Sequence, residues 1–321
     1  QVQAGAIGYE SGLSVYVDGV STGNQFNANQ NLGEIERVEV LRGPQGTLFG
    51  KNSIAGAINI ITKKPTDEFA GRASFELGDR SLQHFQGNLN IPFSDDLSLR
   101  ISMGDRSKDG FIDNITLDEE DYAGTIEETS GRIQIRWTPS DNTTIDLSSD
   151  YLEVDLIDYV YEYIEGSEHY AGMPPAGSPL TAMSFDGVKY TQANGFANTT
   201  SKELAGTSLS IEHTLGNGFT ITSLTGMRDD EMTFQADIDG QPMTFMDGVF
   251  PMTSEQITQE LRIASPTDGA YDFVAGLYYF DSEQHSYQNL TIGQAFAAGL
   301  DQMFPEPMRG FLGGYTAEQH M

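Results

Sequence analysis

The stretch Ile35–Lys63, IERVEVLRGPQGTLFGKNSIAGAINIITK, decides how this chain is read. A strand-like run ends in the turn Arg42-Gly43-Pro44. A short segment with glycines at Gly46, Gly50 and Gly56 follows, and a second strand-like run, Ala57-Ile58-Asn59-Ile60-Ile61-Thr62, closes the unit. Part of this stretch imitates a phosphate-binding loop, Gly46-Thr47-Leu48-Phe49-Gly50-Lys51-Asn52-Ser53. Such a loop needs four residues between its glycines and a Ser or Thr directly after the Lys, so that backbone N–H groups cradle phosphates and the hydroxyl holds magnesium. Here three residues separate Gly46 from Gly50, and Asn52 follows Lys51. A glycine-rich turn between packed strands accounts for the same residues, because Gly adopts backbone angles that others resist.

Upstream, Val15-Tyr16-Val17-Asp18-Gly19-Val20 adds a short strand closed by an Asp-Gly turn. In this order, VYVDG followed by IERVEV through ITKKP, residues Val15–Pro65 resemble the second half of the plug domain of TonB-dependent outer-membrane receptors. The resemblance implies an α+β plug that blocks a transmembrane barrel in the outer membrane of a Gram-negative bacterium. It also implies outer loops that capture a scarce solute and a TonB–ExbB–ExbD complex that pulls on a box outside this sequence. A ferric siderophore is the cargo most often assigned to such sequences; cobalamin and glycans stay open. In receptors of this kind, plug arginines pair with inward-facing acids of the barrel. Arg42, in Leu41-Arg42-Gly43-Pro44, matches one such arginine, and Arg37 is a second candidate. Thr258-Gln259-Glu260-Leu261-Arg262-Ile263 resembles a barrel-strand motif whose alternation sends Glu260 and Arg262 towards the lumen. The expected contact is Arg42 with Glu260, and the plug turn is expected at Gly43, Pro44, Gly46 and Gly50.

Bulk properties narrow the alternatives. The 321 residues carry 35 glycines, no cysteine and a net charge of −30. Mean hydropathy is −0.35, yet a barrel strand alternates lipid-facing and lumen-facing residues and averages out as polar. Low hydropathy therefore does not argue against a membrane protein. Without cysteine there is no disulfide framework or thiolate chemistry. Residues 1–66 balance five acids against five bases, so the whole acidic excess lies further on. Nucleic-acid binding needs the opposite sign to neutralise phosphates. The five histidines are scattered and lack ligand spacing. No nucleophile elbow or other catalytic set emerges, and no cofactor or enzyme activity is expected.

From Phe69 onward, segments of roughly ten residues alternate apolar and polar, the pattern of membrane strands. In Arg132-Ile133-Gln134-Ile135-Arg136-Trp137, the apolar residues share one face and Arg132, Gln134 and Arg136 the other. Leu97, Leu99, Ile101 and Met103 stand opposite Ser98, Arg100 and Ser102 in the same way. Strands are expected near 70–78, 82–93, 96–105, 129–138, 143–155, 204–215, 218–235, 255–265 and 271–283. Ser94-Asp95, Pro139–Asn142, Gly216-Asn217 and Pro266–Gly269 read as tight turns. Longer connections lie near 106–128, 156–203 and 236–254, and this rhythm of short turn and long loop fits periplasmic turns and extracellular loops. The fold class is thus mainly β: the C-terminal part of a plug over 1–66, then an unclosed antiparallel wall of about nine strands over 67–321, where a plugged transporter needs about 22. The sequence reads as a piece of a longer protein. A passive channel or adhesion barrel, and a soluble β-sandwich, are the competing readings. The sandwich would pack its apolar faces together, whereas the barrel turns them to lipid.

The long connections are acidic: Asp118-Glu119-Glu120-Asp121 with Glu127-Glu128 in one, and Asp155, Asp158, Glu162 and Glu165 leading into another. The spacing of a calcium loop is absent, so a solvated anionic surface is expected. Tyr159, Tyr161 and Tyr163 interleave with the second group and are candidates for ligand contact or for an aromatic girdle at the rim.

Overall fold

A two-residue turn organises the N-terminal part. Asp18 and Gly19 hold φ of 50° and 84°, the left-handed pair that a tight hairpin requires and that Asp and Gly tolerate. They join β1 (Leu13–Val17) to β2 (Val20–Ser21). The computed structural model describes residues 12–23, 27, 33–46, 53–114, 117–157, 191–192, 195–238, 246–267, 271–292 and 316–320. Within these, β3 (Ile35–Arg42) and β4 (Gly56–Thr62) complete a four-stranded sheet in the order β2-β1-β4-β3. β1 runs parallel to β4, with Leu13 opposite Gly56 and Val17 opposite Ile60, while β3 is antiparallel to β4. The turn expected after β3 is present: Gly43 has a φ of 83° and its N–H donates to the Ala55 carbonyl at 3.1 Å. Gly50 lies outside the described residues.

After Pro65 the chain enters a ten-stranded antiparallel sheet that does not close on itself. Its strands are β5 (Ala70–Leu77), β6 (Gln83–Pro92), β7 (Leu97–Lys108), β10 (Thr125–Ser140), β11 (Thr143–Ile157), β13 (Thr199–Thr214), β14 (Thr220–Asp237), β15 (Met246–Ala264), β16 (Val274–Ile292) and β17 (Thr316–His320). All nine expected strands form, including β14, where Ile221-Thr222-Ser223-Leu224 breaks the alternation. β17 is a tenth. Several strands run well past the expected ends: β15 begins at Met246 rather than near 255, and β16 continues to Ile292. The connection near 236–254 is therefore largely strand. The connection near 106–128 holds β8 (Ile112–Asn114) and β9 (Glu119–Ala123), which form a small sheet with β12 (Thr191–Gln192). That sheet has its own apolar cluster of Ile112, Tyr122 and Ala123, with Phe111, Ile157 and Ala197 packed around it. The short connection at Asp79-Arg80-Ser81 touches this unit, with the Arg80 guanidinium 4.3 Å above the Phe111 ring.

The two faces of the wall differ as a membrane demands. Ile133 is 51% exposed on one face and Arg132 only 3% exposed on the other. Leu99, Ile135, Leu147 and Leu209 stand in one register row across β7, β10, β11 and β13, an apolar band with no second layer over it. The soluble sandwich, which would bury these side chains against another sheet, is not what forms. Further out along the same strands the outward face becomes acidic. Glu153, Glu203 and Glu231 are direct cross-strand neighbours, as are Asp229, Glu255 and Glu283. Like charges in register destabilise a sheet, so such rows are tolerable only in water, and they mark the edge of the lipid zone. Ile135→Arg is expected to lower barrel stability by about 2–4 kcal/mol, the cost of a cation on the lipid face near the midplane. Urea titration of the protein in lipid bilayers, with Ile135→Leu as the near-neutral control, measures it.

Candidate functional site

The polar face of the wall meets the edge β1–β2 of the four-stranded sheet (the small sheet, below), and one carboxylate, Asp18, is bound from both sides of the contact. Asp18 is held by the β-turn in a left-handed conformation and reaches back over β4. Its Oδ1 accepts from the Thr62 N–H at 3.0 Å and pairs with Lys64 Nζ at 3.0 Å. Its Oδ2 accepts from Thr62 Oγ1 at 2.6 Å and from Arg132 Nη2 at 2.8 Å. Thr62 Oγ1 in turn accepts from Gln134 Nε2 of the wall at 3.0 Å. Arg132 and Asp18 expose only 3% and 8% of their side chains. A buried charge is tolerable only when paired and hydrogen-bonded, and here both conditions hold.

Arg132 belongs to a longer inward-facing row. Asp150 is its direct neighbour on β11, Gly206 is next on β13 and Arg228 follows on β14. Asp150 Oδ1 accepts from Arg132 Nη1 at 3.0 Å, and its Oδ2 pairs with Arg228 Nη1 at 3.4 Å. Gly206 leaves the gap through which Arg228 crosses: a Cβ there would lie 2.9 Å from both Arg228 Nη1 and Asp150 Oδ2. Deeper along the same face, Arg136 binds Asp146 through two bonds of 2.7 and 2.8 Å. A cavity of about 170 Å³ beside Asp18 is lined by Lys64, Gln134, Asp146, Ser148 and Ser208 among others. Ile61, Pro65, Ile135, Leu147 and Leu224 complete its lining, so the cavity is mixed in polarity.

Four further contacts fix the small sheet to the wall. Glu34 pairs with Arg100 of β7, and Lys63 lies 3.4 Å from the same carboxylate. Asn27 donates to Asp230 of β14. Gln256 of β15 donates to the Ser21 carbonyl at 3.1 Å. Val20, 4% exposed, fits against Gly226 of β14.

The residues proposed from sequence are distributed differently. Arg42 is exposed on β3, and Glu260 pairs with Arg262 at 3.4 Å, so the expected Arg42–Glu260 contact is not formed. The reason is position: β3 is the strand furthest from the β2 edge that docks on the wall, and it is exposed along most of its length. Glu260 does face the small sheet, but there it lies near Tyr16, whose phenol is pushed above its ordinary value by burial, against a lowering bond to Ser14 and with the Glu260 charge adding to the rise. Arg37 bonds Glu39 at 2.8 Å and Glu36 at 2.7 Å within its own strand. The Glu39 bond raises Arg37, and bonds from Arg37 and Asn59 hold Glu39 below the usual carboxylate range. Pro44 and Gly46 lie in the segment after β3. Tyr159, Tyr161 and Tyr163 fall outside the described residues. Among those described, no three carboxylates or imidazoles converge as a metal ion needs.

The polarity of the interface is thus the reverse of the expected one: the small sheet supplies the acids Asp18 and Glu34, and the wall supplies the arginines Arg132 and Arg100. The wall side was within reach of the sequence, because the strand alternation already turns Arg100 and Arg132 inward. The partner acids carried no signal beyond the Asp-Gly turn.

Comparison with known proteins agrees with this geometry. Residues 5–57 match the family described as TonB-dependent Receptor Plug Domain. The pesticin receptor of Yersinia enterocolitica is 33% identical over 136 residues, covering 41% of this chain and 20% of that protein. The vitamin B12 transporter BtuB of Vibrio vulnificus is 24% identical over 318 residues, 88% of this chain and 50% of that protein. Among solved structures, the ferric yersiniabactin uptake receptor FyuA of Yersinia pestis superposes with a TM-score of 0.72 at 22% identity, over 88% of this chain and 42% of that one. The siderophore receptor PiuA of Acinetobacter baumannii gives 0.65 at 20%, over 88% and 40%. The chain therefore spans between a fifth and a half of the length of these curated relatives.

Proposed function

We propose that this chain, which carries the plug of TonB-dependent receptors seated on a stretch of their barrel wall, is the gated portion of a receptor importing a ferric siderophore across the outer membrane. Residues 1–66 act as plug and 67–321 as wall in this reading. The observation that carries it is the Asp18–Arg132 pair, a buried ionic contact that joins the plug sheet to the lumen face of the wall. A passive channel has no use for such a seat. The lumen face meets the plug mainly through hydrogen bonds and ion pairs, which suits a plug that must part from the wall and return. Energy enters, in this reading, from a TonB–ExbB–ExbD complex acting upstream of β1. The cargo assignment leans on relatives named for yersiniabactin and catecholate complexes; no step on this path calls for bond-breaking chemistry.

Cobalamin is the second reading, favoured by the long alignment with a vitamin B12 transporter. Uptake separates the two. A Gram-negative strain lacking its own receptors, expressing the protein, is given radio-iron as ferric yersiniabactin, radio-iron as a ferric catecholate, and labelled cyanocobalamin. Saturable uptake of an iron chelate that stops on adding a protonophore is expected. Uptake of cyanocobalamin alone would move the assignment to the second reading. Entry unaffected by the protonophore would sink energy-coupled transport.

A further inference from the structure

Among the described residues, the two ionic contacts between plug and wall differ in what the wall keeps when the plug leaves. Arg132 already shares its charge between Asp18 of the plug and Asp150 of the wall, at 2.8 and 3.0 Å. Arg100 pairs with Glu34 of the plug, and its neighbour on the wall side is the neutral amide of Asn88, at 3.4 Å. Removing one partner of a buried pair is costly chiefly because the other charge stays behind uncompensated. Withdrawal of Asp18 does not produce that state on the wall, since Asp150 remains on Arg132. Withdrawal of Glu34 leaves Arg100 with a dipole only. On the plug side Asp18 is also the better provided for: it keeps Lys64 at 3.0 Å and two bonds from Thr62, while Glu34 keeps Lys63 at 3.4 Å.

We propose that Asp150 is a positioning residue of the transport step: it stands in for Asp18 on Arg132, so the Asp18 corner is where the plug first parts from the wall, while Glu34–Arg100 remains as the anchor. Asp150 is suited to this. It is fixed by its direct register with Arg132, its side chain is 12% exposed, and its second oxygen is held by Arg228, so it need not move to take over. Gly206 keeps that second contact open, as the space a Cβ would fill is where Arg228 reaches Asp150. Arg228 faces Asp150 and, further along β14, Asp230, which is engaged by Asn27 of the plug. The carboxylate of Asp150 thus sits between two guanidinium groups, one of which bridges to the plug.

The inference rests on the gated-transport reading, but its test reads the latch without any cargo. Amide hydrogen exchange is followed on the membrane-embedded protein, comparing residues 13–21 with residues 33–36. Asp150→Asn leaves Arg132 dependent on Asp18, so exchange across 13–21 is expected to slow by roughly tenfold, the worth of one charge-assisted hydrogen bond. Asp150→Glu, which keeps the charge, should restore the native rate, a rescue that a purely structural role does not require of a longer side chain. Asn88→Asp gives Arg100 the wall carboxylate it lacks and should speed exchange across 33–36 without affecting 13–21. Unchanged or faster exchange across 13–21 in Asp150→Asn overturns the proposal, as does an unaltered 33–36 segment in Asn88→Asp. Failure here with intact protonophore-sensitive uptake removes the stand-in role and leaves gated transport standing.

Discussion

Arg132→Ala is expected to unseat the plug edge, speeding amide exchange across residues 13–21 by roughly a hundredfold and admitting vancomycin, a solute too large for ordinary porins. The substitution leaves two carboxylates, Asp18 and Asp150, facing each other across the space the guanidinium occupied. Breaking a buried pair by removing one member costs about 3–5 kcal/mol. Part of that is recovered here, because Asp18 keeps Lys64 and two bonds from Thr62 while Asp150 keeps Arg228. A net loss of about 3 kcal/mol corresponds to the hundredfold change. Arg132→Lys retains the charge but can no longer reach both acids through a planar fork, so it should fall between the two. If Arg132→Ala exchanges at the native rate and excludes vancomycin, the Asp18 contact is not what seats the plug.

Gly226→Val is the second large effect, and it acts by volume rather than charge. A Cβ at Gly226 would stand 2.4 Å from Val20 Cγ1 and 2.8 Å from Thr258 Oγ1. Val20 is buried against the wall, and both of its methyls lie within 3.0 Å of the position the new Cβ takes. Overpacking of this kind costs typically about 1–3 kcal/mol, occasionally more. The expected outcome is a leak to vancomycin with loss of cargo uptake, graded so that Gly226→Ala is milder. Within the wall only the Thr258 hydroxyl has to give way, and Val is otherwise a better strand former than Gly. Heat-modified gel migration of the barrel should be unchanged, and a native level of uptake in Gly226→Val would exclude the Val20 contact from the seat.

Much of the architecture was legible because lipid imposes a strong contrast. Ile133, Ile135 and Trp137 against Arg132, Gln134 and Arg136 announce a strand with one dry face, and the spacing of turn residues orders such strands. That signal ends where the lipid ends. Beyond it β15 extends back to Met246 and β16 on to Ile292 without lipid to enforce an apolar stripe, Phe250 stacking on Phe234 instead, and these extensions look like loop in the sequence. The small sheet of β8, β9 and β12 is hidden for the same reason and by the distance between Asn114 and Thr191. The seat of the plug was half legible. Inward arginines follow from alternation, but their partners lie 114 residues away for Arg132 and 66 for Arg100, and a single sequence carries no register between separate sheets. The Leu41-Arg42-Gly43-Pro44 motif drew attention to the wrong end of the plug sheet: its arginine stands at the far end of β3, and the wall is met by β1, β2 and the Glu34 and Thr62 end of the β3–β4 ladder.

The parallel pairing of β1 with β4 has a mechanical meaning. A pull applied upstream of Leu13 enters the plug sheet at the start of β1, and the chain leaves that sheet for the wall after Thr62, at the end of β4. Because the two strands run the same way, the load enters at one end of the ladder and exits at the other. The rungs from Leu13–Gly56 to Val17–Ile60 are then strained together in shear, whereas an antiparallel pair loaded from adjacent ends would unzip one rung at a time. A tug on this plug thereby loads the whole ladder, and through it the Asp18 contact at the far end of β1, before any strand is peeled from it.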